Sequence, residues 1–312
     1  MKPLIIYHAG CLDGMTAALV TAKALYNDKT FKQDGLGRNE ILLQDGIAIE
    51  PVAFIAAKYG DPVPDLTDRE VYIVDFSYPP EALIPVSVYA KSITIIDHHQ
   101  TAIDKWTSFI YSKYNIKTVF DINYSGAGLA WNYFKYSKQL SDTEQPRWVT
   151  LAQDHDLGKH EYADTKPFVA ALYADGCIQE GNIYEFDYLV TKHPNRLIQD
   201  GIILLTGRDK AIKEILKNNT KEITFEGHNV LIANVPYQYA TDAGYILAKD
   251  RAFSITYDDQ HSLGIRKYSL RSSRGTGVDV AKIAERYHGG GHPTAAGFTV
   301  PLYLRELRIF TK

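Results

Sequence analysis

Cysteine is nearly absent from this chain: Cys11 and Cys177 are the only two among 312 residues. Two cysteines make no disulfide framework, so no disulfide partner is expected and a reducing, cytoplasmic setting is the default. Long hydrophobic runs are missing too. No stretch approaches the roughly 20 apolar residues a membrane helix needs, which argues against a membrane partner. The early run Leu4–Tyr7 is too short for a secretory signal and ends in polar residues. Neither sign of charge dominates. The formal net charge is −3, so no global basic field advertises nucleic acid. A local basic face survives that test, because acids clustered at one site would hide it in the total. There is also no low-complexity tract or short-period repeat. What remains is an ordinary globular composition, 45% hydrophobic and 23% charged, long enough for two cored domains.

The most informative stretch is Ser92-Ile93-Thr94-Ile95-Ile96-Asp97-His98-His99, a β-branched apolar run that stops at an acid and two imidazoles. The run predicts a buried strand. Charged groups at its end must lie where the sheet opens, because burying them unpaired costs on the order of several kcal/mol. In an open α/β sheet, ligands bind at the carboxyl ends of the strands. Two more strands end the same way: Leu4–Tyr7 runs into His8, and Val71–Val74 runs into Asp75.

Around these strands the pattern alternates. His8–Gly14 is a glycine-containing turn before an Ala-rich helix, Met15 to about Leu25. Asn27 to Glu40 reads as a loop or insertion, Ile49–Phe54 as a second strand, and Pro80–Ala90 as a helix. Ser125 is a plausible N-cap for a helix through Phe134. A helix near Arg147–Gln153 leads into Asp154-His155-Asp156. Strands alternating with helices predict a parallel sheet. After a connector, Ile223–Phe225, the turn Glu226-Gly227 and Val230–Val235 predict a hairpin. A helix at Ala243–Ala248, strands at Phe253–Tyr257 and within Ser262–Ser273, a helix at Val278–Tyr287 and a closing strand at Phe298–Val300 follow. The expected fold class is α/β in two domains. Residues 1–195 form a largely parallel sheet with flanking helices, 196–221 a connector helix, and 222–312 a smaller mixed α/β domain. The active site is expected in the cleft between them.

His8, Asp13, Asp75, His98 and one of Asp154 or Asp156 make a mixed imidazole–carboxylate set without a zinc-type cysteine cluster. That set suits Mn²⁺ or Mg²⁺ better than structural zinc. A carboxylate on a central strand can bridge two ions. Such ions, roughly 3.5–4 Å apart, activate water and stabilise a phosphoryl displacement. Each residue alone is more often structural; their place on successive strands is what makes them a site. Gly289-Gly290-Gly291-His292 admits two readings, an over-long helix C-cap or a bare backbone surface that grips a phosphate. Ile265–Arg274 interleaves cations, hydroxyls and an aromatic, as a solvated edge strand or a phosphate-contacting strand would.

These residues resemble the DHH phosphoesterases, in the branch with a GGGH-bearing C-terminal domain. The resemblance spans nearly the whole chain. It rests on the HxxxxDG opening at His8–Gly14, VDF at Val74–Phe76, Asp97-His98-His99, the acidic motif at Asp154–Asp156, and GGGHPxAAG at Gly289–Gly297. Members are similar to RecJ exonucleases, nano-RNases and cyclic-dinucleotide phosphodiesterases. The resemblance implies a two-ion Mn²⁺ enzyme, with Mg²⁺ or Co²⁺ as substitutes. His8 and Asp75 would hold one ion, and Asp13, Asp75, His98 and Asp154 the other, with Asp156 competing for the last place. His99 would sit beside the scissile phosphate and Asp97 would orient a histidine from behind it. Arg271, Ser273, Gly290, Gly291 and His292 would bind substrate. Cys11 stands where many members carry an extra Asp, either as a thiolate ligand or as filler in a vacated position.

The implied reaction is hydrolysis of phosphodiester bonds in a short single-stranded oligonucleotide or small nucleotide by metal-bound hydroxide. Two alternatives stand beside it. One is a phosphomonoester or phosphoanhydride hydrolase acting on pAp or polyphosphate. The other is a non-catalytic nucleotide-binding module with a degenerate site. Chain-length preference, polarity, sugar preference and oligomeric state leave no mark in the sequence.

Overall fold

A computed structural model describes residues 3–25, 32–33, 39–42, 48–49, 52–108, 114–137, 140, 144–273, 275 and 277–304. The chain divides into two compact units, Met1–Leu205 and Thr206–Lys312. Each is α/β, the first built on a parallel sheet and the second on a mixed one.

The first unit opens with β1 (Leu4–His8) and α1 (Leu12–Leu25), then three short strands, β2 (Lys32–Gln33), β3 (Asn39–Leu42) and β4 (Ala48–Ile49), which pair as a small sheet of their own. Of the expected loop Asn27 to Glu40, only these strand residues are described. Next come β5 (Ala53–Ala57), β6 (Glu70–Val74), α2 (Pro80–Ser87), β7 (Ser92–Asp97), α3 (Gln100–Thr107) and β8 (Ile116–Phe120). The strand expected at Ile49–Phe54 is therefore displaced: β5 starts at Ala53 and pairs with β1 from Leu4 onward.

The main sheet has the order β5-β1-β6-β7-β8, every pair parallel. From β1 the chain crosses to β5 on one side, then returns to β6 on the other. The boundary between β1 and β6 is thus the topological switch point, where an open α/β sheet leaves a crevice beyond its strand ends. His8, Asp75 and Asp97 mark the ends of three adjacent strands there. Both faces of the sheet are covered, so the strands are almost uniformly apolar rather than alternating. Ile5, Tyr7, Val74 and Ile96 pack to one side, and Leu4, Ile6, Val71, Ile73, Ile93 and Ile95 to the other.

The first of those faces is covered by α1, α4 (Gly126–Tyr136), α5 (Arg147–Asp156), α6 (Thr165–Asp175), the short α7 (Cys177–Glu180) and α8 (Ile183–Lys192). Two glycines let helix starts approach the strand ends. A Cβ on Gly14 would lie 2.5 Å from the His8 carbonyl oxygen, and one on Gly126 would lie 2.5 Å from Asp75 Cβ. The long α9 (Pro194–Asn219) covers most of the expected connector, and the division between the units falls within it.

The second unit is a six-stranded sheet of order β13-β14-β12-β11-β10-β9. Its strands are β9 (Thr220–Phe225), β10 (His228–Asn234), β11 (Ser254–Gln260), β12 (Ile265–Arg271), β13 (Gly290–His292) and β14 (Ala295–Pro301). Helix α10 (Ala240–Leu247) joins β10 and β11, which pair in parallel, and α11 (Val280–Glu285) precedes β13. The β9–β10 hairpin turns through Glu226 and Gly227, both at positive φ, as a type I′ two-residue turn requires.

The tight seat of α4 on Asp75 predicts the effect of one methyl. Gly126→Ala should lower stability by about 1–3 kcal/mol through overpacking. Gly207→Ala lies in α9 where an added Cβ meets nothing within 4 Å, and should instead raise stability by up to about 1 kcal/mol. Urea unfolding of the two variants checks the contrast. Equal midpoints would mean that α4 has room to yield.

Candidate metal centre

Asp75 sits just past β6, in the left-handed region at φ 54. A non-glycine residue there carries backbone strain of order 1–3 kcal/mol. Its amide is anchored to the Ile96 carbonyl at 2.9 Å. This conformation leaves the two carboxylate oxygens facing different imidazoles: Oδ2 lies 3.6 Å from His8 Nδ1, and Oδ1 lies 3.2 Å from His98 Nε2. Two sets of ligand-capable atoms converge on it. One is His8, Asp75 and His99; the other is Asp13, Asp75 and His98; within each set the atoms lie within 4.8 Å of one another.

Asp13 enters from the first turn of α1. Its carboxylate accepts from the Ala127 amide, at 3.2 and 3.3 Å to its two oxygens, at the start of α4. There the Ser125 side chain caps the helix by accepting from the Gly128 amide. A helix N-terminus favours a carboxylate. Even so, burial and then the charges of Asp75 and Asp156 push Asp13 well above the usual carboxylate range. Asp75 moves the other way: burial opposes its charge, but His8 and His98 outweigh burial and hold it at about 2.

Asp97 is buried and fully committed. It accepts from Ser77 Oγ at 2.5 Å and from the His98 and His99 amides at 2.8 and 3.2 Å, and its Oδ1 lies 2.7 Å from His99 Nδ1. That contact raises the His99 pKa against the pull of burial. Asp97 thus orients His99 and fixes the β7 end, and offers no oxygen to the cluster.

The acidic motif on α5 splits. Asp154 is turned away: it accepts from the Glu161 amide at 2.9 Å, the Tyr162 amide at 3.4 Å and Thr165 Oγ1, stitching the start of α6 to α5. Asp156 faces the cluster, with Oδ2 3.5 Å from His98 Nε2. Burial pushes its pKa up, His98 pulls it back, and Asp75 pushes it up again. Cys11 is half-buried on the turn beside these groups, and burial together with the charges of Asp75 and Asp13 pushes its thiol pKa up.

Two participants carried no sequence signal. Tyr59, just beyond β5, sets its ring 5.6 Å from His8, 6.1 Å from His99 and 5.1 Å from Phe76. Ser77 supplies the hydroxyl behind Asp97. Neither belongs to a periodic pattern, and both act through residues distant in sequence.

The unsatisfied atoms of the donor set say whether it fits a divalent ion. His8 Nδ1, both Asp75 oxygens and His98 Nε2 are buried without a hydrogen-bond partner. Buried polar atoms are normally paired, so four facing one another call for a further group between them. Crowded carboxylates with imidazoles between them fit a borderline-to-hard divalent cation.

In the second unit, Arg271 ends β12. It donates to the Leu270 carbonyl at 2.8 Å, the Ala296 carbonyl at 3.5 Å and Thr241 Oγ1 at 3.0 Å, while its Nε is buried without a partner. Ser273 follows two residues on, and Arg274 lies outside the described residues. The glycine run is neither simply a cap nor a loop. Gly289 closes α11 through its amide to the Ala284 carbonyl, and Gly290, Gly291 and His292 form the exposed edge strand β13 against β14. A Cβ on Gly289 would lie 2.1 Å from the Gly297 carbonyl oxygen, so close strand approach explains that glycine.

No family model matches the chain. An uncharacterized protein of Acanthamoeba polyphaga mimivirus is 24% identical over 306 residues, covering 94% of this chain. The chain spans 66% of that relative's length. Among solved structures, the pGpG-specific phosphodiesterase PggH of Vibrio cholerae aligns with TM-score 0.56 at 13% identity, over 97% of this chain and 95% of that one. The DHH domain of a protein described as a member of a ribosomal-protein family aligns with TM-score 0.50 at 16% identity, over 98% and 84%. The chain therefore has the two-domain α/β fold of DHH proteins.

The split of the acidic motif yields a pair of variants. Asp156→Asn should weaken Mn²⁺ binding by more than the roughly 10–100-fold typical of losing a group that only supports a ligand. Asp154→Asn should lower the unfolding midpoint and change Mn²⁺ affinity far less. Calorimetric titration beside thermal unfolding reads both, and the opposite ranking would put Asp154 on the metal.

Proposed function

We propose that the chain is a DHH phosphoesterase: a metal-dependent hydrolase that cleaves phosphodiester bonds in short oligonucleotides or linear dinucleotides, with Mn²⁺ as its ion. The observation that carries this reading is the shared position of Asp75 between two imidazole–carboxylate sets at the switch point of the sheet. His8 and Asp75, with His99 alongside, would hold one ion; Asp13, Asp75, His98 and Asp156 would hold the other. When bound, divalent ions at such a site lower the pKa of a water and offset the charge of the phosphoryl oxygens.

The protein's own groups do the rest. His99, its pKa raised by its contact with Asp97, would offer its other ring nitrogen to a phosphate oxygen or to the departing alkoxide. The N-terminus of α4 holds Asp13 in place, so the carboxylate does not swing as charge develops. Arg271, Ser273 and the exposed backbone of Gly290, Gly291 and His292 are assigned to the nucleotide. The buried, unpartnered Nε of Arg271 and the open edge strand support that assignment. Cys11 is assigned as filler in a vacated ligand position, since it lies half-buried on the turn and belongs to neither set of converging ligand atoms. The low cysteine content fits a cytoplasmic enzyme.

The test is product analysis on end-labelled oligonucleotides of graded length with Mn²⁺, with pGpG, a cyclic dinucleotide and pAp alongside. Turnover should be fastest on the shortest diesters. Release from pAp alone would favour a phosphomonoesterase, and no turnover of any substrate would leave only a binding module. Asp97→Asn should cost about 10–100-fold in turnover, as loss of a positioning partner does. His98→Ala should cost more, and the reverse order would exchange their roles.

A further inference from the structure

The first unit holds a cavity of about 440 Å³ well away from the metal cluster. That volume falls in the range of small-molecule sites, roughly 300–1,000 Å³. It opens between α1, α4, α5, α6, α8 and the start of α9. Its α1 lining residues Val20 and Lys23 follow Asp13 by seven and ten residues, so the cavity sits roughly 10–15 Å along that helix from the cluster. Its wall is aromatic and aliphatic: Trp131, Trp148, Phe168, Leu151, Val190 and Ile198. Among the described residues its charged lining is all of one sign. Lys23 lies at the wall, nine-tenths buried, and Arg147 and Lys192 stand at the exposed rim.

Two of those cations already have a carboxylate. Lys23 Nζ is 3.0 Å from Asp187 Oδ1, and Arg147 is paired with Asp164. Neither acid is among the described residues that line the cavity, where the charged side chains are all cations. A ring-walled pocket with a few convergent polar groups selects a flat apolar body and one charged end.

We propose that this cavity is a second ligand site, selective for a small planar aromatic molecule carrying one negative charge and independent of the metal cluster. Two of the chain's three tryptophans line it, and the third, Trp106, is buried elsewhere with its indole N–H donating to the Tyr78 carbonyl. Intrinsic fluorescence therefore reports on the cavity.

The probe is 1-anilinonaphthalene-8-sulfonate, compared with the neutral N-phenyl-1-naphthylamine, on the full chain with and without Mn²⁺. The expected result is saturable one-to-one binding of the sulfonate that quenches tryptophan emission and is unchanged by Mn²⁺. Lys192→Gln changes only the rim and should weaken the sulfonate about three- to tenfold while leaving the neutral analogue unaffected. Ile198→Phe should exclude both probes, and a circular dichroism spectrum matching the parent confirms that it folds. Non-saturable binding, an unchanged affinity in both variants, or equal loss of charged and neutral probes in Lys192→Gln would overturn the proposal.

Discussion

Everything at the candidate centre depends on one carboxylate held in a strained backbone. Asp75 turns through the left-handed region at the end of β6, and that turn separates its oxygens, one towards His8 and one towards His98. In ordinary extended backbone the side chain would continue the strand's alternation and face one side of the sheet. The surroundings enforce the conformation. The amide is pinned to β7, and the first residue of α4 has no side chain because the Asp75 Cβ occupies its space. The same helix start places the Ala127 amide on Asp13. One tight contact between α4 and β6 thus sets the positions of two carboxylates.

The energetic cost of this arrangement is visible in its protonation. Burial and mutual repulsion push Asp13 up, while flanking imidazoles pull Asp75 down. Neighbouring carboxylates forced in opposite directions mark a site that a cation would relieve, and functional sites are where such perturbations collect. Asp97 shows the contrasting solution. Its carboxylate is as buried as the others, yet both its oxygens have donors, and it serves as a strut behind His99.

Much of this could be read in the sequence, because a parallel sheet concentrates charge where its apolar strands end. Leu4–His8, Val71–Asp75 and Ser92–His99 each showed that break, and the structure sets the three strands side by side. What stayed hidden depends on rotation and distant pairing. Asp154 and Asp156 are two residues apart, about 200° around a helix. Which one faces His98 depends on how Val149, Leu151 and Ala152 seat α5 in the core, and no local pattern encodes that. Tyr59 and Ser77 belong to no motif, and their roles come from neighbours twenty or more residues away. The strand at Gly290–His292 has no side-chain periodicity at all, and exists only through its ladder with β14.

The central claim is that Asp75 joins two metal positions into one centre. Electron paramagnetic resonance during Mn²⁺ titration tests it most directly, because two ions sharing a carboxylate are magnetically coupled and two separate ions are not. A spin-coupled Mn²⁺ pair is expected in the parent chain, and it should disappear in Asp75→Ala. A spectrum of isolated Mn²⁺ at saturation, or a coupled pair that survives in Asp75→Ala, would contradict it.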